Sequence, residues 1–222
     1  MLTARRPASA SKSRANGMVQ ATSGQSESRQ ARIERKTRET EILIQLNLDG
    51  SGEYKVETTI PFLNHMLEAM AKHGLFDLTV DARGDTEVDL HHTVEDVAIC
   101  LGKAFKEAVG TAQGIMRFGT ASVPMDETLV TAVVDCSNRP YLVCNAPLGH
   151  AKIGNFDVGM VQHFFRSFAL NAGVTLHVNL HYGENLHHII EAIFKACGRA
   201  LAEATRMNPR VAGAIPSTKG SL

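Results

Sequence analysis

The chain repeats itself, and this repeat limits its possible folds more than any other feature of the sequence. The string HHTVED at residues 91–96 recurs as HHIIEA at residues 187–192. The register extends beyond the two strings, because Gly102 and Gly198 also lie 96 positions apart. Agreement within the two strings and beyond them indicates an internal duplication, with two copies of one unit rather than a longer array of short repeats.

Each half of the chain contains the same order of predicted elements. TEILIQLN alternates apolar and polar residues, as a strand with one buried face does, and EYKVET is predicted to return as the second strand of a hairpin. PFLNHMLEAMAKHG is predicted as a helix between Pro61 and Gly74, and a second helix is predicted to begin after His91. In the second half, ETLVTAVVD and PYLVCNA predict another hairpin, followed by helix, strand and helix. The fold class is therefore α+β, a tandem duplication of a ββαβα-type unit with two sheets packed with layers of helices.

Composition separates a leader from the repeat region. Residues 1–30 carry five Lys and Arg against one acidic residue and few large apolar side chains, which predicts a disordered leader or a transit-peptide remnant. Residues 31–222 are predicted as one domain, with repeats at about 38–115 and 121–209 and a C-terminal tail. Lys and Arg total 23, as do Asp and Glu, so net charge gives no reason to expect a nucleic-acid or membrane partner.

Each repeated string carries candidate metal ligands. Residues i and i+4 share one helix face, so the first histidine of each pair lies beside the glutamate and the second points elsewhere. Two more histidines, His65 and His163, hold equivalent positions on the preceding helices. The simplest symmetric sets are His65, His92, His187 and Glu191 for one ion, and His91, Glu95, His163 and His188 for the other. Three imidazoles and one carboxylate suit an octahedral ion such as Mn(II) better than a structural zinc.

Several motifs together resemble the imidazoleglycerol-phosphate dehydratase family of histidine biosynthesis. They are FLNHMLEAMAKHG, DLHHTVEDVAICLGKA, GIMRFG, PMDETL, SNRP, NLHHIIEAIFKACGRAL and STKGSL, and they run from about Arg32 to Leu222. The resemblance implies a ribosomal S5 domain 2-like fold and a hydro-lyase that converts imidazole glycerol phosphate to imidazole acetol phosphate. It also implies two Mn(II) per active site and a homo-oligomer of 24 subunits built from trimers, with metal sites at subunit contacts. The basic, Ser-rich start would fit a plant plastid (chloroplast) form, and otherwise a cytoplasmic enzyme is expected.

The resemblance assigns further residues. The catalytic positions are Glu39, Glu95 and Glu191. The substrate-binding positions are Glu39, His65, His73, His91, His92, Glu95, Arg117, Arg139, His187, His188, Glu191, Lys195, Ser217 and Lys219. Among the cations of this set, Lys195 has the apolar repeat partner Ile99, an asymmetry that fits a substrate with a phosphate at one end only.

Two other functions remain open from the sequence. A non-catalytic oligomeric metal-binding protein would use the same ligands, but it would not need Lys195, Arg117 or the STKG tail. A dinuclear hydrolase would need two ions about 3.5–4 Å apart, usually with a bridging carboxylate. No aspartate-rich bridging set is present, which favours the dehydratase.

Overall fold

The computed structural model describes Met1 and residues 29–222, so most of the leader predicted for residues 1–30 lies outside the described residues. The first repeat consists of β1 (Gln30–Lys36), β2 (Thr40–Asn47), β3 (Tyr54–Glu57), α1 (Pro61–Gly74), β4 (Asp77–Gly84) and α2 (His91–Val109). The second consists of β5 (Phe118–Met125), β6 (Thr128–Asp135), β7 (Tyr141–Asn145), β8 (Lys152–Ile153), β9 (Phe156–Asp157), α3 (Gly159–Ala172), β10 (Thr175–Tyr182) and α4 (Leu186–Thr205). A short 3-10 helix, Pro209–Val211, follows.

The two large sheets have the same strand order, which confirms the duplication. The order is β1-β2-β4-β3 in the first and β5-β6-β10-β7 in the second. Each repeat therefore has one strand more than the predicted ββαβα unit, because β1 and β5 begin the sheets. The small β8–β9 hairpin has no counterpart in the first repeat.

The predicted hairpins are wrong in both repeats. β3 pairs in parallel with β4, and β7 pairs in parallel with β10, instead of returning along β2 and β6. The strand that follows the first helix of each repeat inserts between them and pairs antiparallel along the whole length of β2, or nearly the whole length of β6. Alternation of side chains shows that a segment is a strand, but it does not identify the neighbouring strand.

The four α-helices of residues 29–222 lie between the two large sheets. Helix α2 packs on β1 and β2, α4 packs on β5 and β6, and the helices pair as α1 with α4 and α2 with α3. Ile42, Ile44 and Leu46 of β2 turn towards this helical layer and are buried, whereas the residues between them are more exposed. The predicted α+β class, with two sheets and packed helices, is confirmed. None of the helices in residues 29–222 is both long and apolar enough to cross a bilayer.

Two repeat-equivalent glycines permit the helix pairs to approach closely. A Cβ atom on Gly198 of α4 would lie 2.4 Å from the carbonyl oxygen of Met70 in α1. A Cβ atom on Gly102 of α2 would lie 2.6 Å from the carbonyl oxygen of Phe168 in α3. Only glycine fits at such a distance, so these positions determine how the histidine-bearing helices cross.

Candidate metal centres

The first centre consists of His65, His187 and Glu191. His65 comes from α1, while His187 and Glu191 lie one turn apart near the start of α4. Both imidazoles approach the same carboxylate oxygen, with His65 Nε2 and His187 Nε2 each 3.2 Å from Glu191 Oε2. The side chain of Asn185 caps α4 by accepting hydrogen bonds from the first-turn backbone, which holds the helix start in place.

The second centre consists of His91, Glu95 and His163. His91 and Glu95 lie one turn apart on α2, and His163 comes from α3. Glu95 Oε2 lies 3.6 Å from His91 Nε2 and 3.5 Å from His163 Nε2. In each centre the three ligand atoms lie within 4.8 Å of one another, and each centre takes residues from both repeats. The two centres are therefore copies of one arrangement, related by the duplication.

One atom of the second centre indicates that a metal ion fits there. The Nε2 atom of His163 is buried and has no hydrogen-bond partner among the described residues. A buried polar nitrogen without a partner is costly, and coordination to a cation would remove that cost. Imidazole nitrogens with carboxylate oxygens are a donor set that first-row divalent metals accept.

The remaining predicted ligands, His92 and His188, lie outside these three-residue centres. His92 Nδ1 lies 3.1 Å from Asp85 Oδ2, and His188 Nδ1 lies 2.8 Å from Glu127 Oε2. These hydrogen bonds are the main reason that the pKa of each imidazole is raised. Within the described part of one chain, three residues of each predicted four-ligand set therefore lie together. The fourth members, His92 and His188, are hydrogen-bonded to Asp85 and Glu127 instead.

Lys195 forms an ion pair with the carboxylate of the first centre. Its Nζ atom lies 2.6 Å from Glu191 Oε1, the carboxylate oxygen that the two histidines leave free. Burial tends to raise the pKa of Glu191, but the contacts with Lys195 and His65 outweigh it and hold the pKa below its ordinary value. The second centre has Ile99 at the equivalent position, so its copy of α4's lysine is replaced by an apolar residue.

The other predicted phosphate-binding residues form a separate group around Asp135. Arg117 Nε donates to Asp135 Oδ1 at 2.7 Å, and its Nη1 donates to the carbonyl of Pro216 at 2.8 Å. Arg139 reaches the same aspartate at 3.5 Å. In the tail beyond Pro216, Ser217 Oγ accepts the backbone N–H of Lys219 at 3.2 Å.

This Asp135 group and Lys195 lie towards opposite ends of α4. The backbone N–H of Arg117 donates to Ala204 near the end of that helix, whereas Lys195 lies in its first half. One chain therefore does not bring all the predicted phosphate-binding cations together among its described residues.

Two further predicted residues lie outside the three-residue centres. Glu39 is in the loop between β1 and β2, more than half exposed, with its Oε2 atom 3.9 Å from His92 Nδ1. His73 lies in the last turn of α1, where burial, followed by the charges of Lys195 and Arg199, lowers its pKa. His73 therefore lies two turns beyond His65 on the same helix, outside the first centre.

Sequence reasoning missed Asp85, Glu127 and Asp135. Glu127 could have been found from the repeat register, because Thr40 and Thr128 both begin the second strand of a repeat and a glutamate precedes each of them. Asp85 and Asp135 have no comparable signal, since a single acidic residue at a strand end is common and is usually solvated.

The duplicated fold and its two histidine–carboxylate centres define a metal-dependent protein whose paired sites arose by repetition of one unit. A family model described as imidazoleglycerol-phosphate dehydratase matches residues 58–201. The imidazoleglycerol-phosphate dehydratases of Pelobacter propionicus and Thermoanaerobacter pseudethanolicus are 59% and 58% identical to this chain over 194 residues, which is 87% of the chain and 99% and 100% of those proteins.

Solved structures agree with these relatives. The crystal structure of imidazoleglycerol-phosphate dehydratase from Staphylococcus aureus matches with a TM-score of 0.73 at 39% identity, covering 81% of this chain and 99% of that one. The Pyrococcus furiosus enzyme matches with a TM-score of 0.73 at 35% identity, covering 86% and 100%. The chain belongs to the imidazoleglycerol-phosphate dehydratase family.

Membership of this family establishes the reaction class. The chain is a metal-dependent hydro-lyase of histidine biosynthesis that dehydrates a small phosphorylated imidazole. The non-catalytic metal-binding alternative is not favoured. The curated relatives are bacterial and give no support to the plastid expectation.

Proposed function

We propose that the chain dehydrates imidazole glycerol phosphate at two Mn(II) ions per active site, held by the two symmetric ligand sets. One set is His65, His92, His187 and Glu191, and the other is His91, Glu95, His163 and His188. The observation that carries this proposal is the pair of equivalent centres, one of which contains the partnerless, buried Nε2 atom of His163. Each centre brings together three residues of its proposed set, and His92 and His188 are the two further ligands that the proposal requires.

We further propose that neighbouring subunits supply these two histidines. Each of them has its Nδ1 atom engaged by a carboxylate of its own chain, so Nε2 is the atom available to a metal. An active site closed between protomers would also allow the Asp135 group of one chain to meet Lys195 of another. This geometry favours a homo-oligomer, for which we propose the 24-subunit assembly of trimers expected from the resemblance, located in the cytoplasm as for a bacterial enzyme.

Other side chains of the protein would bind the phosphate and transfer the proton. Lys195, Arg117, Arg139, Ser217 and Lys219 would bind the phosphate through charge-assisted hydrogen bonds and so orient the substrate. Bound metal would act as a Lewis acid towards the substrate. Glu39 would move the proton, because its carboxylate is exposed and makes no side-chain hydrogen bond among the described residues. Glu95 and Glu191 would each act both as a metal ligand and as a catalytic residue.

Metal counting tests the ligand assignment directly. We expect His92→Ala and His188→Ala each to lose about one of the two Mn(II) ions per chain and to lose turnover, as measured by elemental analysis and by dehydration of imidazole glycerol phosphate. His177→Ala is the matched control, because His177 is an exposed histidine on β10 outside both centres. Unchanged metal content in both ligand variants would contradict the assignment. Full metal content in the wild-type protein without any turnover would favour the metal-binding alternative.

A further inference from the structure

The duplication placed one carboxylate at two equivalent positions. Thr40 and Thr128 are the first residues of β2 and β6, and both are buried. The residue before each is a glutamate, Glu39 in the first repeat and Glu127 in the second. Each of these glutamates faces the second histidine of its repeat's HH pair. The two copies nevertheless have different surroundings.

Glu127 is held firmly. Its Oε2 atom lies 2.8 Å from His188 Nδ1. Its Oε1 atom accepts the backbone N–H groups of Glu184 at 3.2 Å and Asn185 at 2.9 Å, and the hydroxyl of Thr128 at 3.0 Å. These contacts lower the pKa of Glu127 strongly, with the His188 hydrogen bond as the first cause. One carboxylate thus connects the β5–β6 turn, the start of α4 and the imidazole.

Glu39 lacks all of these contacts. Its carboxylate is 3.9 Å from His92 Nδ1 and has no side-chain hydrogen bond among the described residues. Asp85, from the loop after β4, takes its place on the imidazole, with its two oxygens 3.1 and 3.2 Å from His92 Nδ1. In the first repeat, His92 is therefore hydrogen-bonded to Asp85, which comes from a different loop. Glu39, the copy of Glu127, does not make this hydrogen bond.

We propose that Glu127 and Asp85 are positioning residues that orient His188 and His92 for metal binding, and that the use of Asp85 in the first repeat leaves Glu39 free for proton transfer. A carboxylate that accepts the second N–H of a metal-binding histidine fixes the tautomer and the direction of the ligating nitrogen. This inference rests on the proposed function, which assigns His92 and His188 as ligands and Glu39 as the proton-transfer group. It explains why only one of two equivalent glutamates would take part in the chemistry.

The test separates metal affinity from turnover. Chelated protein is titrated with Mn²⁺, and free Mn²⁺ is measured by electron paramagnetic resonance. Glu127→Gln and Asp85→Asn should each weaken the affinity of one of the two ions by about 10–100-fold. Glu39→Gln should leave both affinities unchanged while turnover falls by about 10²–10⁴-fold, the usual effect of removing a positioned acid or base. Glu184→Gln is the matched control, since it removes an exposed carboxylate from the β10–α4 loop, whose backbone contacts Glu127, and should change neither quantity.

Three results would overturn the inference. They are wild-type Mn²⁺ affinity in Glu127→Gln, wild-type affinity in Asp85→Asn, and a loss of affinity in Glu39→Gln as large as that in Glu127→Gln. If metal-free Glu127→Gln does not fold, as judged by circular dichroism, Glu127→Asp replaces it; this variant keeps the charge but withdraws the carboxylate by one methylene, and it should also bind Mn²⁺ more weakly. Failure of the proposed function is distinguishable, because His188→Ala would then retain both ions.

Discussion

At the scale of single residues, the position of Lys195 connects binding of the metal to binding of the substrate. Glu191 is 7% exposed, and its carboxylate already contacts two histidines, so Lys195 compensates its charge among the described residues. A buried carboxylate deprived of such a partner is strongly disfavoured. Lys195 therefore has a structural partner in the described chain as well as its expected role towards the phosphate.

Replacing Lys195 distinguishes these two roles. We expect Lys195→Met to keep both metal ions and to lower kcat/KM by an amount equivalent to about 2–5 kcal/mol, because a buried phosphate loses a charged partner. The measurements are metal content, steady-state turnover and binding of an unreactive phosphorylated imidazole analogue. Lys103→Met, at an exposed lysine of α2, is the control. If one ion is lost while the analogue still binds normally, Lys195 acts through Glu191 and not on the phosphate.

At the scale of elements, the glycine crossings decide whether the histidines meet. Each centre needs one residue from the first helix of one repeat and two from the second helix of the other. Gly102 and Gly198 allow these helices to pack backbone against backbone. A pattern of apolar residues would also permit wider crossings, at which the ligand atoms would be too far apart for one ion.

Filling one of these positions should therefore disturb stability and metal binding together. Gly102→Ala places a methyl group where the nearest backbone atom is 2.6 Å away, so α2 and α3 must separate. Overpacking of this kind costs typically about 1–3 kcal/mol, against the ~1 kcal/mol that alanine gains over glycine in a helix, and a clash with a backbone atom places this site towards the costly end. We expect lower stability in urea denaturation of the metal-free protein and a weaker second centre, whereas Lys103→Ala should have little effect. Stability equal to or above the wild type would show that the helices tolerate a wider crossing.

At the scale of the whole molecule, the two incomplete centres predict that metal and assembly are coupled. His92 and His188 do not join the centres of their own chain, and the Asp135 group lies apart from Lys195. If neighbouring subunits complete these sites, every ion is also a contact between protomers, and its binding free energy contributes to assembly.

Chelation should accordingly produce smaller species. We expect sedimentation velocity to show a shift from a large assembly towards smaller oligomers when the metal is removed, and reversal when Mn(II) is restored. His92→Ala should shift the distribution in the same direction even with metal present, while His177→Ala should not. Identical sedimentation of the chelated and Mn(II)-loaded proteins would count against shared sites.

The sequence by itself determined the α+β class, the duplication, the bounds of α1 and the six residues that the two centres bring together, although it also predicted His92 and His188, which lie outside them. These follow from local periodicity and from the repeat register, which are properties of neighbouring residues along the chain. The tertiary structure alone decided that β4 and β10 insert between the strands predicted as hairpins, since pairing depends on which segments meet in space. It also decided that Asp85, and not Glu39, is hydrogen-bonded to His92. The two carboxylates come from different loops, so only their distances to the same imidazole nitrogen show which of them makes the hydrogen bond.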